Sequence, residues 1–191
     1  MTPLEPRPAS VESAETILLG IDLQPAFIAA LSDGQKMHWR CSFALEAARG
    51  FGLPVLFTEQ VPAKLGGTAV ELLALADRPV VMAKDSFSAL GDAAIAAHLL
   101  ASGAKHLLLT GLETPVCVYQ TAVEALRSGY QVTLLSDCLG ARRAGDAAAA
   151  LVHLARAGCA VLPAETVFYS RLKGAQHPFF RRFTALVKKY G

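Results

Sequence analysis

The stretch HLLLTGLETPVCVYQTAVEAL, residues 106–126, decides the fold class of this 191-residue chain. It begins with a short apolar run that ends at a glycine, and it continues with apolar residues at helical spacing. A buried strand that leads through a short turn into a helix is the repeating unit of α/β proteins. The stretch therefore predicts a strand, a turn and a helix, and it puts Cys117 near the start of that helix.

The same alternation extends over the rest of the chain. Apolar runs of strand length also occupy residues 15–22, 54–59, 79–84, 131–137 and 159–163. Helical patterns lie between and after these runs, at residues 38–52, 68–77, 91–103, 146–158, 164–174 and 178–190. Several strand runs are continuous rather than alternating, which is typical of parallel strands covered on both faces. We therefore predict an α/β fold with a doubly wound, mostly parallel sheet and helices on both faces, a Rossmann-like three-layer sandwich.

Residues 1–14 differ in character from the rest of the chain. They are polar and rich in proline, so we expect a loose N-terminal arm before a single domain over residues 15–191. The arm lacks the apolar core of a secretory signal, and no apolar run reaches the ~18–20 residues of a membrane span. The net charge is +2 without a basic block, which argues against nucleic acid as a partner. The four cysteines form no C-x-x-C pair, so we expect free thiols and a cytoplasmic protein.

Ionisable residues stand at the carboxyl ends of the predicted strands, where ligands bind in open α/β sheets. Asp22 ends the first strand, Lys84 ends the third, and Cys117 follows the fourth. Each alone has an ordinary explanation: Asp22 could cap the following helix, Lys84 could point into water, and Cys117 could be core packing. Together, a carboxylate, an ammonium and a thiol at one edge indicate a nucleophile with its base and a stabilising cation.

Two more strand ends carry acidic residues. Glu59 ends the second strand and either points into a pocket or caps a turn; the sequence leaves both open. Asp137 ends the fifth strand, and we expect it to organise its loop with Arg142 or Arg143. None of the five histidines falls just after a strand, so a Cys–His pair is not expected.

The start of the helix bears on the reactivity of Cys117. Thr114 is a natural N-cap and Pro115 suits the first turn. The unpaired amides and the positive dipole end of a helix favour a thiolate at this place. If Thr114 caps the amide of Cys117, however, that amide is not free to bind an oxyanion, and the residues alone do not decide which partner it has.

At these residues the sequence resembles the isochorismatase-like cysteine hydrolase superfamily, closest to its isochorismatase domain-containing branch. The family's aspartate matches Asp22 in LLGIDLQPAF, its lysine matches Lys84 in AKDSFSAL, and its G-x-x-T-x-x-C-V motif matches the segment from Gly111 to Val118 with Cys117 inside it. The resemblance implies a metal-independent hydrolase that cleaves an amide-type C–N bond of a small molecule. In it a covalent intermediate forms on Cys117, Asp22 acts as base and acid, and Lys84 stabilises the thiolate.

The resemblance also implies how the oxyanion is bound. A non-proline cis peptide would join Leu112 to Glu113, and the backbone amides of Glu113 and Cys117 would form the oxyanion hole. The metal-binding members of the superfamily have histidines just after the second strand. Here that region reads TEQVPAKLGG and has none, so we expect no metal and no other cofactor.

Four more side chains follow strand ends or flank the triad and could wall a small pocket, although ordinary packing would also explain them: Phe27, Gln60, Phe87 and Tyr119. The C-terminal segment PFFRRFTALVKKY predicts an amphipathic helix that packs on the sheet or meets another subunit. Because the family often oligomerises, we expect a homo-oligomer.

Two other classes of function stay open. The chain could be a catalytically idle binding or scaffold protein that has kept the fold, although the complete triad argues against this. It could also be a redox protein in which Cys138 approaches Cys117 in space.

Overall fold

The computed structural model describes residues 15–191; the expected N-terminal arm, residues 1–14, lies outside the described residues. Within that range six strands form one sheet: β1 (Thr16–Ile21), β2 (Val55–Gln60), β3 (Val80–Lys84), β4 (His106–Gly111), β5 (Gln131–Leu139) and β6 (Ala160–Leu162). Their order across the sheet is β3-β2-β1-β4-β5-β6, and every neighbouring pair is parallel. The predicted doubly wound α/β fold is confirmed.

The centre of the sheet is β1, which is buried along its whole length. Its continuous apolar sequence fits this position because helices cover both of its faces. Leu18 stands beside Val55 of β2 on one side and Leu108 of β4 on the other. Gly20 is required here: a Cβ atom at this residue would lie 2.5 Å from the ring of Phe57.

Helices cover both faces of the sheet. The α-helices between residues 15 and 191 are α1 (Pro25–Ala29), α2 (Gly34–Gly50), α3 (Pro62–Leu65), α4 (Val70–Leu73), α5 (Ala93–Ala101), α6 (Tyr119–Arg127), α7 (Ala144–Ala157), α8 (Ala164–Leu172) and α9 (Phe180–Tyr190). One apolar core lies under α2, α8 and α9, and the other lies under α5, α6 and α7. None of the helices in this range is long and apolar enough to cross a membrane.

The C-terminal helix α9 packs on α2. Phe183 of α9 is fully buried, and its ring centroid lies 5.8 Å from that of Phe43 in α2. Arg40 of α2 donates to the carbonyl of Tyr190 at 3.1 Å and forms an ion pair with Asp137 at 2.8 Å. The apolar side of α9 is therefore covered by its own chain. The expected pairing of Asp137 with Arg142 or Arg143 is wrong, because α2 brings the guanidinium of Arg40 to this carboxylate.

Candidate active site

The carboxyl ends of β1 and β4 meet at the point where the strand order reverses. The chain leaves β1 towards β2 and leaves β4 towards β5, on the other side of the sheet. In open α/β sheets the crevice at such a point is where ligands bind. Asp22 directly follows β1, and the segment that carries Cys117 follows β4. The topology therefore brings two of the three predicted catalytic residues to the same crevice.

The third residue reaches this crevice from β3. The Nζ atom of Lys84 donates to Oδ2 of Asp22 at 2.8 Å, and the two side chains are 0% and 1% exposed. The other carboxylate oxygen of Asp22 accepts a hydrogen bond from the hydroxyl of Thr58 at 2.9 Å. Asp22 does not cap α1, which has no side-chain cap, and Lys84 does not point into water. Both ordinary explanations of these residues are thereby excluded.

The ammonium group of Lys84 has an acceptor for each of its three protons. Besides Asp22, it donates to Oε1 of Gln60 at 2.6 Å and to the carbonyl of Ser86 at 3.2 Å. Gln60 in turn donates from Nε2 to the carbonyl of Asp85 at 2.9 Å. Gln60, expected as a pocket wall, is thus a buried residue that orients Lys84.

A second glutamine, which the sequence interpretation missed, holds Gln60 in place. Gln24 is fully buried, and its Oε1 atom accepts from the amide of Gln60 at 2.8 Å. Its Nε2 atom donates to the carbonyl of Gln60 at 3.1 Å and to that of Gly66 at 2.6 Å. The only sequence signal for Gln24 is its position two residues after Asp22. A glutamine that bonds to backbone groups at such a position looks the same in the sequence as an ordinary turn residue.

Cys117 is the partner of Asp22 on the β4 side. Its side chain is buried, and its thiol lies near enough to the carboxylate of Asp22 and the backbone amide of Glu113 for both to affect its ionisation. Burial, and then the negative charge of Asp22, raise the pKa of Cys117 to about 12, against the opposing effects of Lys84 and the Glu113 amide. Burial also raises the pKa of Asp22, although Lys84 opposes this. A pKa of about 12 keeps the proton on the sulfur at neutral pH until a base accepts it.

The turn before Cys117 differs from its prediction in two respects. The helical segment opens with a π-helical turn, Thr114–Val118, in which Glu113 occupies the N-cap position. The hydroxyl of Thr114 donates to the carbonyl of Gly140 at 2.9 Å instead of capping the amide of Cys117. The conflict between the capping role and the oxyanion role of that amide is therefore absent.

The second difference concerns the peptide bond between Leu112 and Glu113. Residues 15–191 contain no cis peptide bond, so the expectation of a cis bond here is wrong. The chain is held on both sides of this bond, because the amide of Leu112 donates to the carbonyl of Ile21 at 2.9 Å and that of Thr114 donates to Gly140 at 2.9 Å. These anchors hold the trans chain with the amide of Glu113 near the sulfur of Cys117.

The remaining pocket candidates lie in different surroundings. Phe87 is 55% exposed in the loop between β3 and α5. Phe27 packs against the core under α2, and Tyr119 packs against the opposite core, with its hydroxyl 3.2 Å from Nδ1 of His153. Glu59 accepts from the amide and the hydroxyl of Thr68, at 2.7 and 2.9 Å, so it caps a turn rather than pointing into a pocket.

Two of the other cysteines lie in a different core from Cys117. Cys41 and Cys138 are fully buried in the core under α2, whereas Cys117 lies in the opposite core together with Cys159. The position of Cys138 in the other core argues against it as a resolving partner of Cys117. In the described part of the chain, no group of three or more His, Cys, Asp or Glu side chains is arranged to hold a metal ion.

Comparisons with known proteins find similar sequences and structures. The isochorismatase domain model matches residues 16–166. Isochorismatase domain-containing protein 1 of Salmo salar is 31% identical over 182 residues, which cover 92% of this chain and 62% of that protein. Isochorismatase domain-containing protein 2A of Mus musculus is 31% identical over 175 residues, covering 91% and 83%. This chain thus spans less than two thirds of the length of the first relative.

Solved structures share the fold. The MAR1 ribonuclease from Caenorhabditis elegans superposes with a TM-score of 0.88 at 25% identity, covering 94% of this chain and 93% of that one. YcaC from Pseudomonas aeruginosa superposes with a TM-score of 0.89 at 20% identity, covering 96% and 93%.

Proposed function

The chain belongs to the isochorismatase family, and we propose that it is a metal-independent cysteine hydrolase that cleaves an amide-type C–N bond of a small molecule. One observation carries the proposal. The carboxylate of Asp22 forms a buried ion pair with Lys84, and it lies near enough to the thiol of Cys117 to affect its ionisation. A nucleophile, a base within hydrogen-bond reach and a cation that orients the base are the parts that covalent catalysis requires.

The burial of this ion pair favours an enzyme over an idle scaffold. Removing two charges from water costs several kcal/mol per ion, and their attraction often only offsets that cost. Such a pair is therefore a poor stabilising device compared with apolar packing. Perturbed ionisable groups that converge in a crevice are instead typical of active sites.

The first chemical step is attack by the sulfur on the substrate's carbonyl carbon. A carboxylate of Asp22 whose pKa is raised by burial is a stronger base than an ordinary carboxylate. It takes the thiol proton as the carbon–sulfur bond forms and the carbonyl electrons move to the oxygen. Lys84 stays bonded to Asp22 and offsets the negative charge that remains in the site. Proton transfer and attack are coupled, because a free thiolate is disfavoured at a pKa of about 12.

The oxyanion that results needs hydrogen-bond donors. The backbone amide of Glu113 lies near enough to the sulfur of Cys117 to lower its pKa, so it is also near the place where the oxyanion forms. We assign it and the amide of Cys117 as the oxyanion hole, in a trans backbone. A preorganised donor of this kind typically contributes about 3–4 kcal/mol in the transition state.

The second half of the reaction restores the enzyme. The C–N bond breaks, the departing amine takes the proton from Asp22, and an acyl thioester remains on Cys117. A water molecule then attacks the thioester while Asp22 accepts its proton. The carbon–sulfur bond breaks, the sulfur recovers the proton from Asp22, and the carboxylic acid leaves. The net reaction consumes one water molecule and leaves Asp22, Lys84 and Cys117 as they began.

The test compares two buried thiols. Cys117→Ala is assayed beside Cys159→Ala, because the two cysteines are 7% and 6% exposed in the same core. The assay measures amine release from a panel of small amides and ureides. We expect at least a ~10³-fold loss for Cys117→Ala, as for removal of a nucleophile, and near-normal rates for Cys159→Ala.

Three results would contradict the proposal. Turnover that survives Cys117→Ala would exclude Cys117 as the nucleophile. An absence of turnover across the panel would favour the idle scaffold. RNA belongs in the panel because the similar protein from Caenorhabditis elegans is named a ribonuclease. Cleavage of RNA and of no amide would mean that the bond cleaved is a phosphodiester.

We also propose that the chain self-associates. YcaC from Escherichia coli is described as an octameric hydrolase of unknown specificity, and it shares this fold with a TM-score of 0.77 at 20% identity. The C-terminal helix α9 does not supply the contact surface, because its apolar side is covered by α2. Sedimentation at micromolar concentration tests this proposal, and a mass near the 20.2 kDa of one chain would contradict it.

A further inference from the structure

We propose that the side chain of Glu113 is a positioning residue, which Arg142 holds in place and which fixes the backbone amide of Glu113 for the oxyanion. The inference rests on the proposed hydrolase function and deepens it. It separates two parts of one residue, because the amide binds the oxyanion and the carboxylate acts only through that amide.

The amide of Glu113 lacks the anchor that the amides of its two neighbours have. The amide of Leu112 donates to the carbonyl of Ile21 and that of Thr114 donates to the carbonyl of Gly140, both at 2.9 Å. In the described part of the chain, the amide of Glu113 donates to no backbone carbonyl. An amide that binds an oxyanion has to stay available in this way, so other groups of the residue must fix its direction.

The carboxylate of Glu113 provides such an anchor. Its Oε1 atom accepts from Nε of Arg142 at 2.8 Å, and its two oxygens accept from the backbone amide of Arg142 at 3.3 and 3.4 Å. The side chain of Glu113 is only 13% exposed, whereas that of Arg142 is 65% exposed. The carboxylate therefore lies against the chain between β5 and α7, and its contact with the amide does not depend on where the exposed guanidinium points.

The segment that follows β5 is itself bonded to the same turn. The carbonyl of Gly140 accepts from both the amide and the hydroxyl of Thr114, each at 2.9 Å. A glycine permits this close approach, because a Cβ atom at Gly140 would lie 2.6 Å from the side chain of Leu112. Residues 140–142 therefore bond to the turn at two places, the residue after Glu113 and the side chain of Glu113.

Stability alone is a weak explanation of the Glu113–Arg142 pair, because an ion pair with an exposed partner contributes little to folding. A nearby pair serves as a comparison. Arg143 bonds to Asp146 at 2.8 Å at the start of α7, and both side chains are exposed. The Glu113–Arg142 pair instead includes the residue whose amide lies near the sulfur of Cys117.

The test removes the side chain and leaves the amide. Glu113→Ala keeps the backbone amide of residue 113, so a change in rate reports the position of that amide. We expect kcat to fall about 10- to 100-fold with KM nearly unchanged, because the oxyanion forms only in the transition state. Glu113→Gln keeps an oxygen that accepts from Arg142 and should recover most of the rate. Asp146→Ala breaks the neighbouring ion pair and, as the matched control, should equal the wild type.

A second measurement does not depend on turnover. Hydrogen–deuterium exchange, read by mass spectrometry of a peptide over residues 111–118, reports how often the turn opens. Exchange should be about threefold or more faster in Glu113→Ala than in the wild type. Glu113→Gln and Asp146→Ala should exchange nearly as the wild type does, and circular dichroism verifies the fold of each variant.

Arg142→Ala is a second test of the same contact. It removes Nε and keeps the backbone amide that both carboxylate oxygens contact, so kcat should fall less than in Glu113→Ala. Four results would overturn the positioning role: unchanged exchange in Glu113→Ala, an unchanged kcat there, a loss that Glu113→Gln does not recover, or a larger loss in Arg142→Ala. A wild type without turnover would refute the hydrolase proposal alone, and the exchange rates would still decide whether the side chain of Glu113 holds the turn.

Discussion

The two ends of the sheet bury ionisable groups in opposite ways. At the carboxyl end, Asp22 and Lys84 are both charged partners in a network in which each polar atom is bonded. At the amino end, His106 accepts or donates through Nε2 to Thr133 at 2.8 Å, while its buried Nδ1 has no hydrogen-bond partner among residues 15–191. Burial, and then the charge of Arg171, lower the pKa of His106 to about 4. A buried group in this fold thus stays charged where a counter-charge is paired with it, and the neutral form is favoured where there is none.

The largest expected effect comes from breaking the carboxyl-end pair. Lys84→Met leaves the carboxylate of Asp22 buried without a counter-charge, which typically costs about 3–5 kcal/mol of unfolding free energy. The double variant Asp22→Leu/Lys84→Met should recover much of this stability and none of the activity. Urea denaturation and the amine-release assay measure the two properties. A double variant as unstable as Lys84→Met would show that the pair is structural.

The next largest expected effect is the loss of stability at low pH that His106 causes at the amino end of the sheet. A histidine with a lowered pKa binds fewer protons in the folded than in the unfolded protein. Its contribution to the free energy of unfolding is therefore complete above pH 6.5 and is lost as the pH falls towards 4. The span between 6.5 and about 4 corresponds to about 3 kcal/mol. Unfolding free energies from pH 7 to 4 should therefore fall less steeply in His106→Gln than in the wild type. The exposed His153→Gln serves as the control, and equal slopes in all three proteins would refute the assignment.

A smaller effect is expected in the alkylation of Cys117. With a pKa of about 12, the thiolate fraction rises about tenfold per pH unit up to pH 10, without the plateau near 9 of an ordinary thiol. Asp22→Asn removes the negative charge that raises this pKa, so alkylation at a given pH should be faster by up to about tenfold. Mass spectrometry of the Cys117 peptide after iodoacetamide gives the rates. A plateau below pH 9 in the wild type would contradict the buried-thiol description.

The smallest expected effect distinguishes Thr58, which bonds to Asp22 at the carboxyl end of the sheet, from Thr133, which bonds to His106 at the amino end. Thr58→Val removes a hydrogen bond that lowers the pKa of Asp22, so that pKa rises and the acid limb of the pH–activity profile shifts to higher pH. A hydrogen bond to a charged group contributes about 1.5–3 kcal/mol, which bounds the shift. Thr133→Val, at His106, should leave the acid limb in place. A common shift in both variants would mean that the limb reports stability instead of Asp22.

The fold followed from the sequence to within a few residues, because continuous apolar runs specify buried parallel strands. β4 begins and ends as predicted, and β5 extends by only two residues beyond its prediction. The short helix α3 was missed, because four residues carry no measurable apolar period. The identity of the three residues at the sheet edge was also predictable, since parallel topology brings strand ends together.

The sequence did not show which side-chain atoms form hydrogen bonds and ion pairs with each other. It named Asp137 but not Arg40, and it placed Gln60 in a pocket wall although this side chain orients Lys84. It also missed Gln24, whose partners are 36 and 42 residues away. Side-chain amides bond to whichever backbone groups the fold leaves unsatisfied, and this information exists only once distant segments have met.

By itself the sequence determined the parallel sheet and the presence of a carboxylate, an ammonium and a thiol at one edge, because these depend on local apolar period and strand order. The tertiary structure alone decided that Cys117 rests as a thiol, that the bond before Glu113 is trans and that α9 is covered while α5 is exposed. Protonation and exposure depend on the burial and charges around a group, and these arise from residues far apart in the chain.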